Sequence, residues 1–164
     1  AMYEGKNVQL ITQSDTNAAI KTVLNHLPRS RRLMMLGHGT DSGLIGKNAD
    51  GTLRLVINHS HAYYLRKHGA NIVAVWCYAD LFARKEGLHG LFSGMIISEI
   101  EEAEMLGIPT TEEELARENV KLAQRLRMLL DEGVPLHEMP ARMLLLDDVH
   151  SPLTTFNYRN FFYL

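Results

Sequence analysis

Two apolar runs, each closed by a residue with chemistry of its own, constrain the fold of this chain more than any other feature. Leu33-Met34-Met35-Leu36-Gly37 leads into His38-Gly39, and Asn71-Ile72-Val73-Ala74-Val75-Trp76 leads into Cys77. Apolar residues at successive positions suit strands buried on both faces, as in parallel sheets. Parallel neighbours need a crossover, and the segment between the two runs is long enough to hold a helix. Both His38 and Cys77 then fall at carboxyl ends of strands, the edge where α/β sheets place their sites. A thiol and an imidazole delivered to one edge form a candidate nucleophile–base pair.

The remaining segments fit that frame. Asn7–Thr12 reads as a short strand rich in Val, Leu and Ile. Ser14 and Asp15 are helix caps for Ala18–Leu27, which Pro28 stops. From Thr40 to Ile57 turn residues dominate, and Ala49-Asp50-Gly51 separates Gly43–Gly46 from Leu53–Ile57 as in a hairpin. Ser60–His68 reads as a helix ended by Gly69, followed by the Asn71–Trp76 strand. The order β-α-β-hairpin-α-β predicts an α/β fold with a mostly parallel sheet and right-handed crossovers.

Beyond Cys77, Tyr78–Gly87 reads as a loop or short helix, and His89–Ile97 is apolar. Ser98-Glu99-Ile100-Glu101 reads as a capping box for a helix ending at Gly107. Thr111 caps a helix running to about Glu132, with Leu115, Leu122, Leu126 and Leu129 as its apolar stripe. Arg142–Leu146 reads as a last strand, with Asp147-Asp148 as an exposed acidic pair after it. No linker, repeat or low-complexity tract interrupts residues 1–164, so one domain is expected.

The chemistry at the strand ends depends on these residue types. A free thiol, with a pKa of about 8.5, is only a few per cent ionised at neutral pH. An adjacent imidazole takes its proton and later delivers one to a leaving amine. Gly39 lets the backbone approach a substrate carbonyl, and its N–H together with that of Cys77 would form an oxyanion hole.

At these residues the sequence resembles the caspase–hemoglobinase fold of the clan CD cysteine peptidases, which includes gingipains and CHAT domains. Leu33–Gly39 is similar to the His-Gly block and Ile72–Cys77 to the nucleophile block. Gly87-Leu88-His89-Gly90-Leu91-Phe92-Ser93-Gly94 resembles the segment that follows the nucleophile in CHAT-like members. The resemblance spans Leu33 to Ile97. It implies a three-layer α/β sandwich, catalytic His38 and Cys77, an oxyanion hole from Gly39 and Cys77, and a peptide or protein substrate. It implies no cofactor and no metal. The alternative is a non-catalytic binding or regulatory module of the same fold, in which Trp76 blocks the substrate carbonyl.

Other constellations point to less. His59-x-His61, with His38, Asp41 or Asp50, is a conceivable zinc set, but it lacks HExxH or Cys-x-x-Cys spacing, and a solvated helix start explains it. Cys77 and Arg84 do not form a phosphatase loop, because the spacing is wrong and the cradle glycines are missing. Glu99, Glu101, Glu102, Glu104 and Glu112–Glu114 gather at two helix starts, where they favour the helix dipole.

Composition removes whole classes. A formal net charge of −2 gives no electrostatic case for nucleic acid or an anionic membrane. No apolar run approaches the roughly 18 residues of a spanning helix. No signal peptide is read before the first strand, and the single cysteine excludes an internal disulfide, so a cytoplasmic location is expected. The segment from Phe156 to Leu164 holds five of the twelve aromatic residues. It folds back onto the domain or leaves an apolar patch that a second copy would cover as a homodimer.

Overall fold

A computed structural model of the chain describes residues 8–12 and 14–164. They form two compact units. One comprises Val8–Gly94 with Phe162–Leu164, and the other Met95–Phe161. No helix among the described residues is long and apolar enough to cross a membrane.

The first unit is α/β. Helix α1 (Asn17–His26) is capped by Thr16, whose side chain accepts from the Ala19 N–H, and it buries Ile20 and Leu24. Strand β1 (Leu33–Leu36) is followed by β2 (Gly39–Thr40), β3 (Gly43–Lys47) and β4 (Leu53–Ile57), which form a separate antiparallel sheet in the order β2-β3-β4. A 3-10 turn at His59–His61 leads into α2 (Ala62–Arg66). Strand β5 (Ile72–Val75), helix α3 (Ala79–Glu86) and β6 (Gly90–Ser93) complete the run. Strand β7 (Phe161–Tyr163) returns to this unit, and the main sheet has the order β1-β5-β6-β7.

Strands β1, β5 and β6 are parallel, as the continuous apolar runs require. Ile72, Val73 and Ala74 of the central β5 are 0% exposed. Gly90 and Leu164 exchange both of their backbone hydrogen bonds, each 3.0 Å, so β7 runs antiparallel to β6. The core gathers Ile20 and Leu24 of α1, Met35, Ile72, Ala74, Trp76, Phe82 and Phe92.

The second unit is helical: α4 (Ile100–Met105), α5 (Glu112–Asp131), α6 (Met139–Leu145) and α7 (Pro152–Arg159). The predicted stripe Leu115, Leu122, Leu126 and Leu129 is buried along α5, under the Thr111 cap. Asn157 ties α7 to the start of the unit by accepting from the Ile97 N–H at 2.8 Å and donating to the Ile97 carbonyl at 3.0 Å.

Several expectations require correction. Val8–Thr12 is not a strand, and Asn7 lies outside the described residues. Val8 and Leu10 are exposed, Ile11 alone of the apolar residues packs against the core, and the Thr12 N–H is taken by the Asp15 carboxylate at 2.7 Å. The α1 cap is Thr16 rather than Ser14 or Asp15. The α4 box lies one residue later than read, with Glu102 accepting from the Ser98 and Glu99 N–H groups.

Arg142–Leu146 falls in a helix. Pro140 sits in the first turn of α6, Met139 and Met143 lie one turn apart and are buried, and Leu145 is 80% exposed. Met and Leu, neither of them branched at Cβ, favour helix over strand at that spacing. Asp147 is buried instead of solvated: it accepts from the Val149 N–H, the His150 N–H and the Thr154 hydroxyl. In the aromatic segment Tyr158 and Phe161 are buried and Tyr163 is exposed.

Candidate active site

The site begins with the pairing of β1 and β5. Leu33 lies opposite Ile72 and Leu36 opposite Val75, so the two strands end together. One further backbone bond, from the Gly37 N–H to the Val75 carbonyl at 3.1 Å, carries the pairing past the last strand residue. His38 follows on one chain segment and Cys77 on the other, each two residues beyond its strand. The in-register parallel pairing therefore brings both segments out of the same sheet edge.

The His38 backbone is fixed by its carbonyl, which accepts from the Ile45 N–H at 2.8 Å, while its side chain is exposed. Gly39 enters β2 opposite Leu44. A Cβ placed on Gly39 would lie 2.2 Å from Cδ1 of Trp76 and 2.6 Å from the Gly43 carbonyl oxygen. Only glycine fits between the indole and the β3 backbone.

Trp76 is 1% exposed. Its indole Nε1 donates to the Thr40 carbonyl at 3.1 Å, and its ring lies 5.7 Å from that of Phe82. The indole thus belongs to the core and holds β2 against the end of β5. The two backbone groups of Trp76 are held by Ser93 at the end of β6: the N–H donates to the Ser93 hydroxyl at 3.0 Å, and that hydroxyl donates to the Trp76 carbonyl at 2.8 Å.

Cys77 is half-buried and in no disulfide. After it the chain turns sharply. Tyr78 has φ of 68°, a left-handed conformation uncommon for a residue with a side chain, and its N–H donates to the Gly94 carbonyl at 3.2 Å. The Ala79 N–H donates to the Trp76 carbonyl at 3.1 Å, and α3 starts there. Cys77 therefore sits on a tight strand-to-helix turn. Backbone strain of this kind clusters at functional sites.

The other histidines are placed elsewhere. His59 Nδ1 lies 2.9 Å from Oε2 of the buried Glu86, and Asp50 accepts from Thr52. His61 is fully buried, not solvated at a helix start, and its Nδ1 accepts from the Asn58 N–H at 3.1 Å. Burial, followed by the nearby Lys21 charge, pushes the His61 imidazole below its ordinary value. Among the described residues no three His, Cys, Asp or Glu side chains come together as a metal site. A cavity of about 410 Å³ beside the start of α1 is lined by Asp15, Thr16, Lys47 and Arg54 among others, and neither His38 nor Cys77 lines it.

Sequence reasoning gave Ser93 no role of its own, although it lay in the apolar Gly87–Gly94 stretch that carries part of the resemblance. A hydroxyl closing an otherwise apolar run, just before Gly94, was the one available sign. The chain matches no family model, no curated protein and no solved structure.

Proposed function

We propose that the chain is a thiol hydrolase of the cysteine-peptidase type, with a caspase-like three-layer architecture and Cys77 and His38 as nucleophile and base. The observation that carries this reading is the in-register parallel pairing of β1 and β5, whose chain segments lead into His38 and Cys77 at one edge of the sheet. The left-handed turn at Tyr78, immediately after the thiol, supports it.

The reaction follows from the two groups. His38 takes the Cys77 proton, and the thiolate forms an S–C bond to the carbonyl carbon of a peptide. The carbonyl oxygen gains the electron pair and is held by the Gly39 and Cys77 N–H groups. The oxyanion collapses, the C–N bond breaks, and protonated His38 gives its proton to the leaving amine. Water then attacks the thioester with His38 as base. The C–S bond breaks, and the thiol regains its proton from His38. No cofactor enters these steps. A thiol that must stay reduced fits the cytoplasm. If a homodimer forms through the aromatic segment, Tyr163 is its most exposed ring.

A non-catalytic binding module is the second reading, and Trp76 favours it, because the indole fills one flank of Gly39. Iodoacetamide labelling separates the two. Every thiol adduct reports Cys77, since the chain has one cysteine. The hydrolase reading expects labelling with an apparent pKa below about 8.5 and a roughly tenfold slower rate at neutral pH in His38→Ala. Equal rates in both proteins, or labelling only after denaturation, leave the binding module. A fluorogenic peptide library with a Cys77→Ala control then defines the substrate.

A further inference from the structure

We infer that Ser93 is a positioning residue that aims the Cys77 amide at the oxyanion, an inference that rests on the thiol-hydrolase reading. One peptide plane links Ser93 to the thiol residue. The bond between Trp76 and Cys77 is trans, as no cis peptide occurs among the described residues. In a planar trans peptide the C=O of one residue and the N–H of the next point in opposite directions. Whatever holds the Trp76 carbonyl therefore sets where the Cys77 N–H points.

Two donors hold that carbonyl: the Ser93 hydroxyl at 2.8 Å and the Ala79 N–H at 3.1 Å. The same hydroxyl accepts from the Trp76 N–H at 3.0 Å, so Ser93 closes on both backbone groups of the residue before the thiol. Its side chain is completely buried and cannot exchange these partners for bulk water. The neighbouring Gly94 carbonyl takes the Tyr78 N–H. The end of β6 thus grips the chain immediately before and immediately after Cys77. An alanine at 93 would leave the Trp76 carbonyl on Ala79 alone and allow the peptide plane to rotate.

Acylation and alkylation of the same thiol distinguish aiming from mere support. With p-nitrophenyl acetate, the Cys77 thiolate forms an S–C bond to the acetyl carbon, charge develops on the carbonyl oxygen, and p-nitrophenolate leaves. With iodoacetamide, the thiolate displaces iodide from a saturated carbon and no oxyanion forms. Both adducts are read by mass on the Cys77 peptide, with Cys77→Ala as the blank. Loss of one oxyanion donor costs about 10²–10³ in rate, so misdirecting it in Ser93→Ala should lower the acylation-to-alkylation ratio by roughly tenfold or more.

Ser93→Gly, which also lacks the hydroxyl, should match Ser93→Ala, and Ser93→Thr, which keeps it, should stay within about twofold of the parent ratio. Thermal melting establishes which variants are folded. If either hydroxyl-free variant is folded and keeps the parent ratio, the inference is overturned, as it is if both rates fall together. The hydrolase reading has its own readout, the effect of His38→Ala on alkylation, so the two can fail separately. A Cys77 that reacts with neither reagent in the folded protein overturns both.

Discussion

Replacing Gly39 by alanine tests the packing on which the proposed site is built. The added Cβ would stand 2.2 Å from Trp76 Cδ1, 2.6 Å from its Cγ and 2.6 Å from the Gly43 carbonyl oxygen. None of these can move cheaply. The indole is 1% exposed and tethered to the Thr40 carbonyl, and Gly43 is paired with Thr40 in the β2–β3 ladder. Overpacking of this kind costs about 1–3 kcal/mol, and losing the indole hydrogen bond adds about 1 kcal/mol, giving roughly 2–4 kcal/mol.

The chain has one tryptophan, and it lies in the clash, so its emission reports the right unit during urea unfolding. With a slope of about 2 kcal/mol/M, the midpoint should drop by roughly 1–2 M, and the emission maximum should move to the red. Gly69→Ala is the control. Gly69 has φ of 52° with nothing within 4 Å of a Cβ, so it isolates the backbone cost of about 1 kcal/mol. If Gly39→Ala loses no more than Gly69→Ala and the emission is unchanged, Gly39 is not the close contact described.

Two further outcomes follow from groups the sequence left unremarked or misplaced. His61 is buried neutral, with its folded-state value below the ordinary one; the unfolded chain therefore binds the extra proton first, and stability falls as pH drops beneath about 6.5. Protonating Nδ1 would also set a donor against the Asn58 N–H. Urea midpoints at pH 7, 6 and 5 should fall less steeply in His61→Gln than in the parent, and parallel slopes would contradict this assignment. Asp147→Ala removes the acceptor for the Val149 and His150 N–H groups and for the Thr154 hydroxyl, so the Met95–Phe161 unit should lose about 2–4 kcal/mol. Thermal unfolding followed by far-UV circular dichroism reads that loss, and a change below about 1 kcal/mol would refute the buried role.

The legible parts of the fold were those where local pattern and tertiary demand agree. Leu33–Leu36 and Ile72–Val75 are apolar at every position, with Leu33, Met35, Ile72, Val73 and Ala74 buried and Met34, Leu36 and Val75 half-buried, and the hairpin between Gly43 and Ile57 is marked by its Ala49-Asp50-Gly51 turn. The long stripe of α5 has enough turns to show its period. Val8–Thr12 misled because two of its three apolar residues, Val8 and Leu10, face outward, which only the rest of the molecule decides. Arg142–Leu146 misled because a short apolar run reads equally as strand or helix, and here the buried positions are Met139 and Met143, one turn apart.

Strand β7 left a weaker mark, being three residues long and dependent on a partner distant in sequence. At the candidate site, His38, Gly39 and Cys77 were readable from strand ends, whereas the grip of Ser93 on Trp76 is a tertiary contact with no periodicity to announce it.

The antiparallel bond pair between Gly90 and Leu164 also has a kinetic consequence. Strands β3 and β4 meet across a short turn, but β7 can join β6 only after all four helices of the other unit have intervened in sequence. Closing so long a loop raises the entropic cost only logarithmically, yet contacts between sequence-distant segments form slowly. The outer edge of β6 should then be the last part of the main sheet to be covered during refolding. In pulsed hydrogen exchange, the amides of Gly90 and Leu164 should gain protection after those of β3 and β4.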